Sequence, residues 1–157
     1  MTHLSCSYTI VADTLAHLRA AGRDSKECVV LWLGRRLPAD ATICEAYLPL
    51  QRARDDQFHI PPEGMTELMA YLRTHKRRLV AQVHSHPREA FHSLADDHWA
   101  IVRREGALSI VVPDFAAHTS PENLVTEAKF FQLSPQDRWL QVGDIVAAFE
   151  MCDAHSP

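Results

Sequence analysis

Six consecutive apolar residues run from Cys28 to Leu33 and stop at Gly34. Such a run marks a strand covered on both faces, so residues 27–34 read as a buried strand. Before it, residues 6–12 alternate loosely and suggest the start of a strand. From Asp13 onward, Leu15, Leu18 and Ala21 recur at helical spacing, with Gly22 as a natural stop. Residues 42–50 read as a second strand that Pro49 brings to an end, and the polar stretch 51–61 reads as a loop. Pro61-Pro62-Glu63 opens a helix with Met65, Leu68, Met69 and Leu72 on its apolar face. Residues 79–84 form a strand. Residues 93–104 read as a helix with Leu94, Trp99, Ile101 and Val102 as its apolar positions, ended by Gly106. Residues 107–112 are a strand closed by Pro113, and 114–128 are a polar excursion. Strands at 129–133 and 139–142 follow, then a short element at 146–151 and a frayed tail at 153–157. Neither a repeat nor a linker divides this pattern. It predicts one α/β or α+β domain over residues 1–152, built on a central sheet.

Composition narrows the classes. A chain of 157 residues, 46% hydrophobic and 23% charged, can bury a core without cross-links. The net charge of −4 supplies no broad basic field, which argues against nucleic-acid binding. Lys76-Arg77-Arg78 is a local cluster, explained by a solvated helix end facing the macrodipole. Cys6, Cys28, Cys44 and Cys152 are widely spaced with no Cys-x-x-Cys, so free buried thiols in a reducing compartment are expected. With no signal-like start and no membrane-length apolar run, the expected location is the cytoplasm, away from membranes.

The candidate chemistry lies in His84-Ser85-His86-Pro87, followed by Ser93 and Asp96. On a strand, His84 and His86 fall on one face and Ser85 on the other. Two imidazoles and a carboxylate give zinc three ligands and leave a fourth position for water, which is the pattern of a catalytic site. Ten histidines in the chain make a lone His-x-His a weak signal. Ser93 and Asp96 also have a plain reading as a helix N-cap and its N3 partner. The two readings are compatible, and the conjunction is far more specific than either half.

That conjunction, Val83 to Asp97 in full VHSHPREAFHSLADD, resembles the zinc motif of the JAMM metalloproteases, also called MPN+ or JAB domains. The family's upstream Glu is matched by Glu27, which stands before the apolar run ending at Gly34. The likeness covers roughly residues 5 to 135 by element order. Two departures stand out. The loop from His86 to Ser93 is one residue shorter than the commonest form, which leaves Asp97 as a rival to Asp96. Val30 stands where Gly is frequent. The compact length and the run from His98 to Phe115 resemble bacterial stand-alone JAB proteins more than eukaryotic complex subunits.

The resemblance implies a curved mixed β-sheet flanked by helices, cytidine-deaminase-like in plan. It implies one Zn2+ held by His84, His86 and Asp96. Glu27 would be the base beside the attacking water, with Glu45 and Glu63 as fallbacks. Ser93 would donate to the developing oxyanion. His92 and His98 would lie near the site without ligating. The implied substrate is the isopeptide or peptide bond after the C-terminus of a ubiquitin-like protein, its tail paired with a sheet edge near Glu27. Trp32, Phe58 and Phe91 are either contacts for that tail or core residues. Partners of the E1-like and E2-like kinds, some in antiviral defence, would accompany such an enzyme. The alternatives are a catalytically silent scaffold, a protease that processes a sulfur carrier, and a deaminase-like hydrolase. The last requires His/Cys-x-Glu and Pro-Cys-x-x-Cys patterns that the chain lacks.

Overall fold

The computed structural model describes residues 3–37, 42–53, 57–98, 100–146 and 148–152. Strand β1 (Leu4–Ser7) leads into helix α1 (Tyr8–Gly22), followed by β2 (Val29–Arg35) and β3 (Ile43–Tyr47). Two short strands, β4 (Arg52–Ala53) and β5 (Phe58–His59), pair as a hairpin before helix α2 (Pro62–Thr74). Then come β6 (Arg77–Ser85), α3 (Leu94–His98), β7 (Leu108–Val112), α4 (Leu124–Glu127), β8 (Lys129–Leu133), β9 (Trp139–Gln141) and β10 (Phe149–Cys152). Six strands form one mixed sheet in the order β3-β2-β6-β7-β8-β9, with β6 and β7 parallel and the other pairs antiparallel. This is the α+β arrangement expected of the sequence pattern.

The apolar run of β2 is continuous because both faces of the sheet are covered. Val30 and Trp32 pack in the core that includes Val11, Leu15 and Leu18 of α1. Val29, Leu31 and Leu33 pack against Phe58 and against Leu68 and Leu72 of α2. The indole N–H of Trp32 donates to Thr14 Oγ1 at 2.9 Å, so the largest core side chain leaves no polar group unpaired.

Several elements differ from the sequence expectation. Helix α1 begins at Tyr8, five residues before Asp13, because Ser7 caps it by accepting from the Ile10 N–H at 3.3 Å. Segment 51–61 contains the β4–β5 hairpin. The helix expected over 93–104 is only Leu94–His98. Its continuation is lost to Gln82, whose buried Oε1 accepts the N–H groups of Ile101 (2.9 Å) and Val102 (3.4 Å). Leu94 is 91% exposed, and Trp99 lies outside the described residues. The excursion 114–128 holds a left-handed turn and α4. The last element, β10, pairs in parallel with β1 outside the main sheet. The tail 153–157 lies outside the described residues. Cys6 and Cys28 are buried free thiols, whereas Cys44 and Cys152 are only partly buried.

The left-handed turn bears on the site. Asp114, Phe115 and Ala116 take φ of 52°, 51° and 61° in succession. Left-handed backbone costs a non-glycine residue about 1–2 kcal/mol. The turn returns two hydrogen bonds to the chain after β6, from Asp114 N to Arg88 O (2.9 Å) and from Phe115 N to His86 O (2.8 Å). Gly22 admits this turn: a Cβ there would sit 2.4 Å from Phe115 Cβ. Its glycine thus serves close approach, since the cap residue Arg23 is right-handed. No helix among the described residues is long and apolar enough to cross a membrane.

Candidate metal centre

Strand β6 carries His84 opposite Val29 of β2 and Val111 of β7, at the middle of the sheet. His86 is the first residue past the strand, yet its N–H still bonds Val112 O at 2.9 Å, so it keeps strand direction. Alternation then turns both imidazoles to one side, with ring centroids 5.2 Å apart. Asp96 meets them from α3. Its Oδ1 is 3.1 Å from His84 Nε2, and its Oδ2 is 3.1 Å from His86 Nε2. All three residues are buried, and their ligand atoms lie within 4.8 Å of one another. Phe58 backs the His84 ring at 5.3 Å, and the Phe91 ring meets His86 edge-on at 4.6 Å.

Asp96 is fixed by a reciprocal cap. The Ser93 N–H donates to Asp96 Oδ2 at 2.7 Å, and the Asp96 N–H donates to Ser93 Oγ at 3.1 Å. The short Asp at N3 therefore completes a capping box and still faces both histidines. Burial opposes ionisation of Asp96. The His84 and His86 imidazoles beside it and the Ser93 N–H outweigh that burial and hold the carboxyl well below its ordinary range. Burial likewise pulls the His86 imidazole down, but the bond to Asp96, its charge and that of Glu27 leave the ring raised.

The chemistry of this group fits a divalent cation. Both ring nitrogens of buried His84 lack a well-formed hydrogen bond, Nε2 lying close to Asp96 but off the geometry of one. An orphaned buried nitrogen is costly unless a cation takes it as a ligand, and His84 Nε2, facing Asp96, is the one so placed. A His-His-Asp set of three suits zinc with a fourth position open.

Glu27 is 2% exposed. It precedes Cys28, whose N–H donates to Ser85 Oγ at 3.2 Å and whose carbonyl accepts from the Ser85 N–H at 3.1 Å. Ser85 thus ties the Glu27 segment to the strand of the two histidines, in keeping with a structural role. A cleft of about 210 Å3 is lined by Glu27, His86, Phe91 and Ser93, among others. A second, of about 380 Å3, opens on the other side of Glu27, between α1 and the segment 48–51. A larger depression of about 640 Å3 by β8 and β9 contains none of these groups.

The remaining candidates lie elsewhere. Glu45 accepts from Tyr71 Oη and pairs with Arg77, and Glu63 pairs with Arg52. Asp97 pairs with Arg103 at 3.2 Å, away from the histidines. Trp32 and Phe58 are core residues, whereas Phe91 is 54% exposed at the cleft. His98 is exposed. His92 packs on Trp139 and Phe131, outside the ligand group. Two glutamines escaped the sequence reading. Gln82 gave a signal, a polar residue between Ala81 and Val83 of an otherwise apolar stretch, but Gln51 gave none.

Burial pushes the His92 imidazole down to about 4. The folded state thus keeps a neutral ring where the unfolded chain, near 6.5, is charged. The unfolded state binds the extra proton between these values, so stability is full above pH 6.5 and declines as pH falls towards 4. The loss is on the order of 1–3 kcal/mol, reduced by the ring's partial exposure. His92→Phe is expected to flatten this slope in melting temperatures recorded from pH 4 to 7. A parallel curve would show that His92 does not carry it.

No family model matches the chain. A curated relative, the probable metalloprotease y4jG of Sinorhizobium fredii, is 37% identical over 110 residues, covering 68% of each chain. A solution structure from Desulfitobacterium hafniense superposes with a TM-score of 0.66 at 18% identity, covering 96% of this chain and 93% of that one. The JAB1/MPN domain protein from Archaeoglobus fulgidus superposes with a TM-score of 0.56 at 13% identity, covering 97% and 100%. The fold is that of a JAB/MPN domain. The chain belongs to the JAMM (MPN+, JAB-domain) metalloprotease family, with His84, His86 and Asp96 gathered as that family's motif requires.

Proposed function

We propose that this protein is a zinc-dependent isopeptidase or peptidase that cleaves after the C-terminus of a ubiquitin-like modifier. The observation that carries the proposal is the shared cleft: Glu27, His86 and Ser93 line one narrow space beside the buried His84, His86 and Asp96. His84, His86 and Asp96 would hold the ion. Zinc supplies, when bound, a water acidified to a pKa of about 7 and a Lewis acid for the scissile carbonyl. Glu27 takes the proton of the attacking water and delivers it to the leaving amine. Ser93 Oγ, already accepting from the Asp96 N–H, keeps its own hydrogen to donate to the developing oxyanion.

The cleft volume of about 210 Å3 falls below the roughly 300–1,000 Å3 of common small-molecule pockets. It suits a slim extended backbone such as Gly-Gly better than a bulky side chain. This chain retains a complete ligand set and Glu27, which weighs against a silent scaffold. A sulfur-carrier protease would differ only in the modifier trimmed. Partners of the E1-like and E2-like kinds, and a cytoplasmic setting, follow from the same reading. The test is cleavage of a fluorogenic peptide amide ending in Gly-Gly, with zinc per chain measured in parallel. Expected are about one zinc per chain and hydrolysis that stops on chelation and returns with zinc. A zinc-loaded chain that leaves both this peptide and an isopeptide-linked Gly-Gly-Lys peptide uncut would overturn the substrate reading.

A further inference from the structure

We propose that Gln51 is a positioning residue for Glu27, its side-chain amide standing in for a strand that is missing beside β2. The inference rests on the reading of Glu27 as the proton carrier. Strand β2 pairs with β6 from Val29 to Arg35, but with β3 only from Leu31 onward. The end of β2 nearest Glu27 therefore has no backbone neighbour on the β3 side. Val29 is fully buried, so its polar backbone groups have no access to water and must be paired inside the protein.

Gln51 pairs both of them. The Val29 N–H donates to Gln51 Oε1 at 2.8 Å, and Gln51 Nε2 donates to Val29 O at 2.9 Å. A primary amide offers a donor and an acceptor side by side, as a neighbouring strand does. The same Nε2 donates to Pro49 O at 3.2 Å, which fixes the amide relative to its own segment. On the opposite edge Ser85 grips Cys28 through its two bonds. Residues 28 and 29 are thus held from both sides, and Glu27 is the next residue along. Gln51 also lines the larger cleft together with Glu27 and Cys28. Releasing the amide would free the backbone that aims the carboxylate, while His84, His86 and Asp96 stay supported by β6, β7 and the Ser93 cap. A displacement of about 1 Å at a reacting group costs on the order of 100-fold in rate.

The test uses the zinc-loaded full chain and the fluorogenic Gly-Gly peptide amide. Gln51→Leu removes both bonds at similar volume. Gln51→Glu keeps the acceptor for Val29 and loses the donor. Gln51→Leu is expected to lower kcat by about 10- to 100-fold with KM within about twofold. Zinc content should hold while hydrogen exchange at the Val29 amide accelerates, and Gln51→Glu should fall between. In a Glu27→Gln background the Leu substitution should cost nothing further, because the group it aims is gone. A residue that merely supports the fold would cost the same in both backgrounds, and that result would overturn the proposal. An unchanged kcat with slow Val29 exchange would also overturn it. Should Gln51→Leu not fold, Gln51→Glu runs the same cycle. If the wild type leaves the peptide uncut, the substrate reading fails and crystal structures decide on Gln51. A Glu27 carboxylate displaced in the variant supports the assignment, and one left in place refutes it.

Discussion

Glu27→Gln is expected to keep the fold and the zinc while lowering kcat by about 10²–10⁴-fold, the range for loss of a positioned general base. The amide is isosteric and remains polar, so the buried position tolerates it, but it takes up no proton at neutral pH. Glu27 is not one of the three clustered ligands, which is why zinc should stay. KM should change little, since substrate would be bound by the cleft walls. Steady-state kinetics on the Gly-Gly peptide amide, paired with elemental analysis, separate the outcomes. Full activity would move the base elsewhere. The nearest alternatives by sequence, Glu45 and Glu63, are engaged with Tyr71 and Arg77 and with Arg52.

The second large effect distinguishes two adjacent carboxylates. Asp96→Ala is expected to abolish zinc retention, whereas Asp97→Ala leaves zinc near the wild-type level. Asp96 is 3% exposed and meets both histidines at 3.1 Å. Its loss removes a ligand and breaks the cap that receives the Ser93 N–H. Asp97 and Arg103 have side chains 49% and 36% exposed, so their ion pair contributes at most about 1 kcal/mol. Zinc per chain, measured on both variants purified without added metal, decides the matter. The opposite ranking would mean that the shortened loop hands ligation to Asp97.

What the sequence disclosed, and what it hid, follow from the kind of contact involved. The buried strand β2, helix α2 and strands β6 to β8 were legible because their apolar periods match covered faces, although Met69, expected on the apolar face of α2, is 54% exposed. The two histidines and Asp96 were legible because strand alternation and a helix cap are local rules. Helix α3 was overextended because Gln82, far back in the chain, takes the N–H groups of Ile101 and Val102. Helix α1 was placed late because Ser7 gives a cap signal that the preceding alternation masks. The left-handed turn at Asp114–Ala116 carries no glycine to announce it, and Gly22, which makes room for it, lies in another element. Gln51 was invisible for the same reason: a side chain that replaces a strand leaves no pattern.

The pairing of β1 with β10 bears on how this molecule comes together during synthesis. Leu4 stands beside Phe149, and Ser7 beside Cys152, so this ribbon joins nearly the first described residues to the last. Long loops are slow to close, and a chain emerges at only about 5–20 residues per second. Helix α1, β2 and the strand β6 that leads through His84 to His86 can therefore assemble on the ribosome while β1 still waits for its partner. His84, His86 and Asp96 have all emerged once α3 has, β7 follows to hold the His86 N–H through Val112 O, and the β1–β10 ribbon closes after them.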